Sequence, residues 1–470
     1  MATHSSSTPD TFDLVIVSNR LPYSAAPDPS QLRELDSSPG GLIAAMRPVM
    51  DSHPGAWVGW SGSASPTSPR YTVGTVEYSP VALGEEDIKA HYEGFSNQTI
   101  WPLYHDVGVG FEEREDWWHV HKAVSARFAE AAAAVASPGA LVWVHDYQLQ
   151  LVPGILRELR PDLTIGYFHH IPFPDAAVFS ALSHREEVLS GLLGADLVGF
   201  QRTRDVEHFT QCLSRILEIH GAAGVVHIPG GREVLVAAHP ISLDFAALAE
   251  RSASADVKTR AARLREGWGN PERVFLGVDR LDYTKGIPER LRAFARALAE
   301  GELDPERDVF VQLASPSREA VSSYQEIRDE VESIVSETNS RFPSPTGGPV
   351  FYRSENVSRQ DMLAHYLAAD IMVVSALRDG MNLVAKEYVA CRGDNTGVLV
   401  LSSHTGAADE LVTALLVDPT DPEALRDALV RASQLSPHEQ ARAMEAMRDQ
   451  VRSHDVQAWA TGFLGQLDAI

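Results

Sequence analysis

The sequence predicts an α/β protein of two open, doubly wound units, each a parallel sheet with helices on both faces. Two observations carry this: short apolar runs alternate with stretches of helical periodicity, and the alternation stops and restarts near residues 240–245. A third agrees, since 470 residues exceed what one hydrophobic core organises and call for about two or three domains. The expected divisions are a disordered N-terminus over 1–12, a first domain over 13–241, a second over 242–455 and a closing helix over 456–470.

The first ten or so residues are rich in Ser and Thr. Residues 14–17 then read as a strand that ends in Ser18, Asn19 and Arg20, and a Pro- and Ser-containing loop leads to Gly40 and Gly41, which open a helical pattern at Leu42, Met46 and Val49. Amides at a helix N-terminus behind two glycines suit a diphosphate, although most such pairs are only turns. A short strand at 56–60, an aromatic-rich connection over 92–102 and a helix over 117–136 follow. The regular βα series comes next, with strands at 141–144, 164–168, 197–200 and 234–238 and helices near 149–159, 186–193 and 205–219. After a helical stretch over 246–268, a second series has strands at 274–278, 309–313, 350–352, 371–374, 398–401 and 414–417. Its helix at 288–300 starts on Pro288, turns Leu291, Phe294, Ala295 and Leu298 to one side and closes at Gly301. The last stretch carries Trp459, Phe463, Leu464 and Leu467 at helical spacing, which suits packing on either domain.

Hydrophobic residues are 44% and charged residues 22%, the proportions of a globular protein. The formal charge of -24, from 64 acidic against 40 basic side chains, argues against a nucleic-acid-coating surface, so any bound phosphate must be met by a local basic cluster. Two cysteines, Cys212 and Cys391, make neither a disulfide framework nor a cysteine zinc site and fit a reducing cytoplasm. The N-terminus lacks a basic segment followed by an apolar one, and no window holds about 18 uninterrupted apolar residues, so neither a signal peptide nor a membrane span is expected.

Several chemistries lose their main support. No Gly-x-Gly-x-x-Gly follows the first strand, and neither Gly-x-x-x-x-Gly-Lys-Ser/Thr nor Gly-x-Ser-x-Gly occurs. No Asp-x-Asp triplet of the kind that holds a divalent ion on a nucleotide is present. His119 and His121 stand two apart on a helical stretch, hence on different faces, and His145, His169 and His170 lack a spaced ligand partner. No metal and no cofactor are expected.

The informative residues sit in turns after strands, where ligands gather in open α/β sheets. Arg280 and Lys285 follow the run at 274–278; Arg gives a planar fork and Lys a mobile point charge, a suitable anchor for phosphate. Taken alone, the loop equally allows surface pairing with Asp279 and Asp282. The other turns are Asn19-Arg20, His145-Asp146-Tyr147-Gln148-Leu149, His169 to Pro174, Ser315-Pro316-Ser317-Arg318, and Ala376 to Glu387. Two facing sheets would set these turns across one interdomain cleft fit for a nucleotide-sugar and a second phosphorylated substrate.

Asn19-Arg20, Gly40-Gly41, Tyr92 with Phe95-Ser96-Asn97 and Trp101-Pro102, His145-Asp146-Tyr147, His170-Ile171-Pro172-Phe173-Pro174, Arg280-Leu281-Asp282-Tyr283 with Lys285-Gly286, and Arg378-Asp379-Gly380-Met381-Asn382-Leu383-Val384-Ala385-Lys386-Glu387 together resemble the trehalose-6-phosphate synthases, from about residue 13 to 468. The resemblance implies the GT-B fold, two Rossmann-like domains facing across a cleft. It also implies transfer of glucose from a nucleoside diphosphate glucose to glucose 6-phosphate, giving α,α-trehalose 6-phosphate with retention and without a metal. UDP-glucose leads among the donors, with GDP- and ADP-glucose open because nothing in these motifs reads the base. By the same resemblance Arg280 and Lys285 hold the donor diphosphate, Gly41 gives it a backbone amide, and Glu387 binds the ribose. Gly380, Met381, Asn382, Leu383 and Val384 line the donor; Asp379, His170 and Asp146 position the transferred glucose and the acceptor; Arg20, Tyr92, Trp101 and Arg318 receive the acceptor's phosphate. Members often form dimers or tetramers, and neither nucleic acid nor membrane is a partner.

Retention ordinarily suggests a carboxylate nucleophile. In this family the leaving phosphate is thought to take the proton of the attacking hydroxyl on one face of the sugar, and Asp146 is the residue to test against that. Blander readings stand beside these roles: Trp101 and Tyr92 as core aromatics, Asp146 as a helix cap, Arg20 and Arg318 as interdomain salt bridges. Departures from the family pattern are small: Gln148 stands where many members have His, and His169 precedes His170. A pseudo-glycosyltransferase joining cyclitols would alter the acceptor phosphate residues, and a silent sugar-phosphate sensor would lose Arg280, Lys285 or Asp379; neither change is present.

Overall fold

The computed structural model describes residues 11–23, 45–47, 49–50, 54–65, 69–318 and 322–470. The N-terminal stretch 1–10 and the Gly40-Gly41 turn, with the candidate Gly41, lie outside the described residues. The chain divides into two units, residues up to Pro240 together with Trp459–Ile470, and Ile241–Ala458.

Runs of β-branched and aliphatic residues form the strands of the first unit: β1 (Phe12–Arg20), β2 (Gly55–Trp60), β3 (Tyr71–Val73), β4 (Val76–Val81), β5 (Ala136–His145), β6 (Thr164–Phe168), β7 (Leu197–Phe200), β8 (Gly221–Ala222), β9 (Val225–His227) and β10 (Glu233–Ala238). They make one sheet in the order β3-β4-β2-β1-β5-β6-β7-β10-β9-β8. Pairing is parallel from β4 to β10, and β3, β9 and β8 join antiparallel at the two edges. These edge strands depart from the expected parallel pattern. At the β3–β4 hairpin Gly74 takes φ 62°, and Tyr71 stacks on Tyr78 across the pair at 5.2 Å.

The second unit holds β11 (Arg273–Arg280), β12 (Asp308–Ser315), β13 (Val350–Arg353), β14 (Ile371–Val374), β15 (Val398–Ser402) and β16 (Leu415–Val417). All pair in parallel, in the order β13-β12-β11-β14-β15-β16. Counted from β11 this is 3-2-1-4-5-6, so the order reverses between β11 and β14. The loops that leave those two strands flank the crevice where doubly wound sheets bind ligands.

Two helical segments differ from expectation. Residues 92–102 belong not to a connection but to a wide helix, Ile88–Ile100, followed by Trp101–His105. Its last turn closes on the carbonyl five residues back, where the Trp101 amide donates to Ser96 O, and two side chains reach back as far, Ser96 Oγ to His91 O at 2.6 Å and Gln98 Nε2 to Glu93 O at 3.0 Å. Such winding has no 3.6-residue period to read. The stretch at 246–268 is two helices, Phe245–Ser252 and Ala255–Gly267, because Ser254 caps the second by accepting from the Val257 amide.

The closing helix, Val456–Asp468, lays Trp459, Phe463 and Leu467 on the first sheet. Phe463 stacks on Trp143 at 4.5 Å and fills the room left by two strand glycines. A Cβ at Gly166 or at Gly199 would come within 2.7 Å of that ring. Among the described residues no helix is long and apolar enough to cross a membrane, and no group of three metal-ligating side chains occurs.

Candidate active site

In the second unit the turn after β11 is tied to the turn after β14. Gly286 takes φ 61°, and a Cβ there would lie 2.1 Å from the Ser375 carbonyl, so a side chain would force the turns apart. Ser375 Oγ donates to Gly286 O at 2.7 Å and the Leu377 amide to Thr284 O at 2.8 Å. Beneath them Arg290, 1% exposed, pairs with Asp279 at 2.6 Å and donates to Lys285 O at 2.7 Å and Val373 O at 2.9 Å. Burial raises the Asp279 carboxyl above its ordinary range against the pull of Arg290 and Lys285.

This frame brings Lys285 to Asp379, Nζ to Oδ2 at 2.5 Å, and Asn382 Nδ2 donates to the same oxygen at 3.1 Å. Asn382, at φ 83°, also caps the helix Leu383–Cys391 by accepting from the Ala385 amide at 3.1 Å. The amides of Leu383 and Val384 open that helix, where the dipole favours negative charge. Gly380 and Met381 link Asp379 to the cap; a Cβ on the neighbouring Gly406 would come 2.1 Å from Gly380 O, and Met381 O accepts from the Ala407 amide at 2.8 Å. One turn into the helix Glu387 accepts from Tyr366 Oη at 2.7 Å; burial raises its carboxyl, opposed by Arg359 and that hydrogen bond. Lys386 is fully buried and bonded to Ile241 O at 2.8 Å and Glu410 at 2.6 Å, so it holds the fold together.

Arg280 ends β11 exposed to solvent, while Arg318, after β12, is drawn to Asp282 at 3.6 Å and donates to Tyr324 Oη. Asp282 is fully buried and accepts from the Thr284 amide at 3.0 Å and from Tyr324 Oη at 3.0 Å. Burial pushes its carboxyl up, yet Arg318, Arg280 and the Thr284 amide hold it at about 2. Asp282 thus stays charged and shapes the Arg280–Lys285 turn, with Tyr324 and Arg318 behind it.

In the first unit Asp146 follows β5 at φ 77°, and its Oδ1 accepts from the Tyr147 amide at 2.9 Å and the His170 amide at 3.3 Å. Part of this is the helix-cap geometry, since a short helical turn, Tyr147–Leu149, follows. His170, after β6, has Nε2 at 3.1 Å from His145 Nδ1. Arg20 lies over the Trp60 ring, 5.8 Å from its centroid, and Tyr92 is 5.7 Å from the same ring. Gly62 makes room for that arginine: a Cβ there would be 2.5 Å from Arg20 Nε. Trp101 instead packs on His105 at 4.1 Å and on Tyr147 at 5.6 Å, beside Asp146. Trp60, Gly62, Arg290, Tyr324 and Tyr366 are not singled out by the sequence; only Trp60 gives a signal, an aromatic closing a strand ahead of a glycine.

Asp146, Arg318 and Asn382 are among eight non-glycine residues at positive φ in the described residues; for Arg318, with no short polar side chain to ease it, the conformation costs about 1–3 kcal/mol. Two doubly wound units with cations, carboxylates and imidazoles at their strand C-terminal ends define a glycosyltransferase of the GT-B class. The family model described as Glycosyltransferase family 20 matches residues 13–469, and the chain belongs to that family. It is 48% identical to the trehalose-6-phosphate synthase of Mycolicibacterium gilvum, over 97% of this chain and 93% of that one. Among solved structures it is similar to the α,α-trehalose-phosphate synthase (UDP-forming) of Burkholderia vietnamiensis, with 34% identity, TM-score 0.90 and 97% of each chain covered. It is also similar to the UDP-forming enzyme of Burkholderia xenovorans in complex with glucose-6-phosphate, with 32% identity, TM-score 0.89, and 97% of this chain and 100% of that one covered.

Proposed function

We propose that the chain transfers glucose from a nucleoside diphosphate glucose, UDP-glucose first, to glucose 6-phosphate, making α,α-trehalose 6-phosphate with retention. The observation that carries this is the meeting of Lys285, Asp379 and Asn382 at the mouth of the Leu383–Cys391 helix, at the switch point of the second sheet. The UDP-forming relatives, one bound to glucose-6-phosphate, support the choice of substrates.

In this reading Arg280 and Lys285 grip the diphosphate, Lys285 exchanging Asp379 for phosphoryl oxygens. Gly41 and the amides of Leu383 and Val384 add donors, and Gly380, Met381 and Asn382 shape the wall. Glu387 takes the ribose hydroxyls, and Asp379, released from Lys285, accepts from hydroxyls of the glucose. Asp146 and His170 orient the sugars, and Arg20, Tyr92, Trp101 and Arg318 are assigned to the acceptor's phosphate. The bond from C1 to the phosphate oxygen breaks as the bond from C1 to the acceptor hydroxyl forms on the same face, and the hydroxyl proton passes to the leaving phosphate. Asp146 Oδ1 is already held by two backbone amides, which suits positioning rather than attack on carbon. Most of the barrier reduction then comes from orientation and from fixed positive charge around the departing nucleotide.

The buried, unpaired thiols of Cys212 and Cys391 support a cytoplasmic setting, and assembly as a dimer or tetramer belongs to the same proposal. Product analysis with glucose 6-phosphate and UDP-, GDP- or ADP-glucose in turn tests it. A non-reducing disaccharide phosphate, formed fastest with UDP-glucose, is expected; none with any donor overturns it.

A further inference from the structure

His145 closes β5 with no exposed surface, in a layer of rings: Trp143 at 4.6 Å and Phe168 and Trp459 at 6.4 Å between centroids. Its Nδ1 lies 3.1 Å from His170 Nε2, and its Nε2 is buried without a hydrogen-bond partner. Burial holds both imidazoles neutral, His145 at about 3 and His170 well below the ordinary range. One proton therefore lies between them, and two arrangements are possible. If His170 Nε2–H donated, the proton of His145 would sit on its buried Nε2, a donor with no acceptor. If His145 Nδ1–H donates, only a bare lone pair faces the aromatic layer. An orphaned N–H is the rarer and costlier of the two.

We propose that His145 is a positioning residue: its Nδ1–H fixes His170 in the Nδ1–H tautomer, so that His170 meets the sugar as a hydrogen-bond donor with no free ring lone pair. This rests on the assignment of His170 to the sugars. His170 Nδ1 has no protein partner among the described residues, so its N–H is open to a substrate oxygen. Side by side, Asp146 then offers an acceptor and His170 a donor, a pair that orients a hydroxyl-bearing ring. With its second nitrogen occupied, His170 cannot take the proton of the attacking hydroxyl, which leaves that proton to the departing phosphate.

Long-range ¹⁵N–¹H spectra of the intact chain labelled in histidine, with His170 assigned by loss of its signals in H170Q, read the tautomer directly. A proton on His170 Nδ1 is expected, and one on Nε2 overturns the proposal even if no His145 variant folds. H145N, whose carboxamide N–H replaces the imidazole Nδ1–H, should keep kcat within a few-fold and preserve the tautomer. H145L should lower kcat by about 10–100-fold, the usual effect of losing a group that orients an active-site histidine, with both KM values within about two-fold. Equal kcat for H145N and H145L overturns the positioning role. Wild-type turnover by H170A would instead remove the sugar contact assigned to His170, a failure of the functional reading that the wild-type spectrum keeps distinct from a failure of the tautomer lock.

Discussion

Lys285 Nζ lies 2.5 Å from Asp379 Oδ2, so the lysine proposed for the diphosphate is engaged by the carboxylate proposed for the glucose. In the proposed reading each holds the other in place until substrate separates them. The proposed exchange would replace one ion pair with contacts to a doubly charged group, a gain that would grow as charge builds on the leaving phosphate.

Removing either cation after β11 therefore costs rate far more than fold. Lys285→Ala and Arg280→Ala should each lower kcat/KM by about 10²–10³-fold or more. Their thermal melts should stay near wild type, because Arg280 is exposed and Asp379 keeps Asn382. Near wild-type rates in either variant would remove the proposed role.

Arg318 is proposed for the acceptor's phosphate and also faces Asp282 at 3.6 Å. Arg318→Ala should raise KM for glucose 6-phosphate by roughly 10–100-fold, the loss of one charged hydrogen-bonding partner. It should also raise KM for the donor, because Asp282 loses a counter-ion. Tyr324→Phe, which removes the hydroxyl bond to Asp282, should move the donor KM alone. An unchanged KM for glucose 6-phosphate in Arg318→Ala would place the acceptor's phosphate elsewhere.

Arg290→Met takes one partner from a buried ion pair and two carbonyls from their donor. A stability loss of about 3–5 kcal/mol is expected, read as a lower urea midpoint. A midpoint within error of wild type would show that the two turns hold together without it.

Acid should destabilise the fold through its buried imidazoles. His91, His145 and His169 are fully buried and held at about 3 by burial, against about 6.5 in the unfolded chain. Between those values the unfolded chain binds the more protons, so stability is complete above about pH 6.5 and falls as pH drops toward 3. Each of the three contributes up to about 1.4 kcal/mol per pH unit in that window. Melting temperatures at pH 7, 6 and 5 should descend steadily; a flat series would mean that these imidazoles already charge in the folded state.

How far the sequence reveals the fold depends on where the signal is local. The strands at 164–168, 197–200 and 371–374 are found with their observed bounds, because each is a short apolar run between polar turns. β3 and β4 escape notice, since Pro80 and alternating polar residues blur the run, and the Ile88–Ile100 helix escapes because its winding has the wrong period. In the candidate site the same rule holds. Lys285 and Asp379 stand in turns that local spacing exposes, but their meeting depends on strand order, which no window of sequence contains. Arg290, Tyr324 and Tyr366 look like ordinary helix residues, and only tertiary packing sets them behind Lys285, Asp282 and Glu387.

The helix that closes the chain sets Trp459 6.4 Å, ring to ring, from both His145 and His170, and seats Phe463 against the sheet beside them. Those last residues act as insulation for the imidazole pair. Clipping 459–470 would let water reach the His145 ring, return it to ordinary titration and loosen its hold on its neighbour, so damage to a helix about 300 residues further along the chain would register as a fault in proton placement at the centre of the first unit.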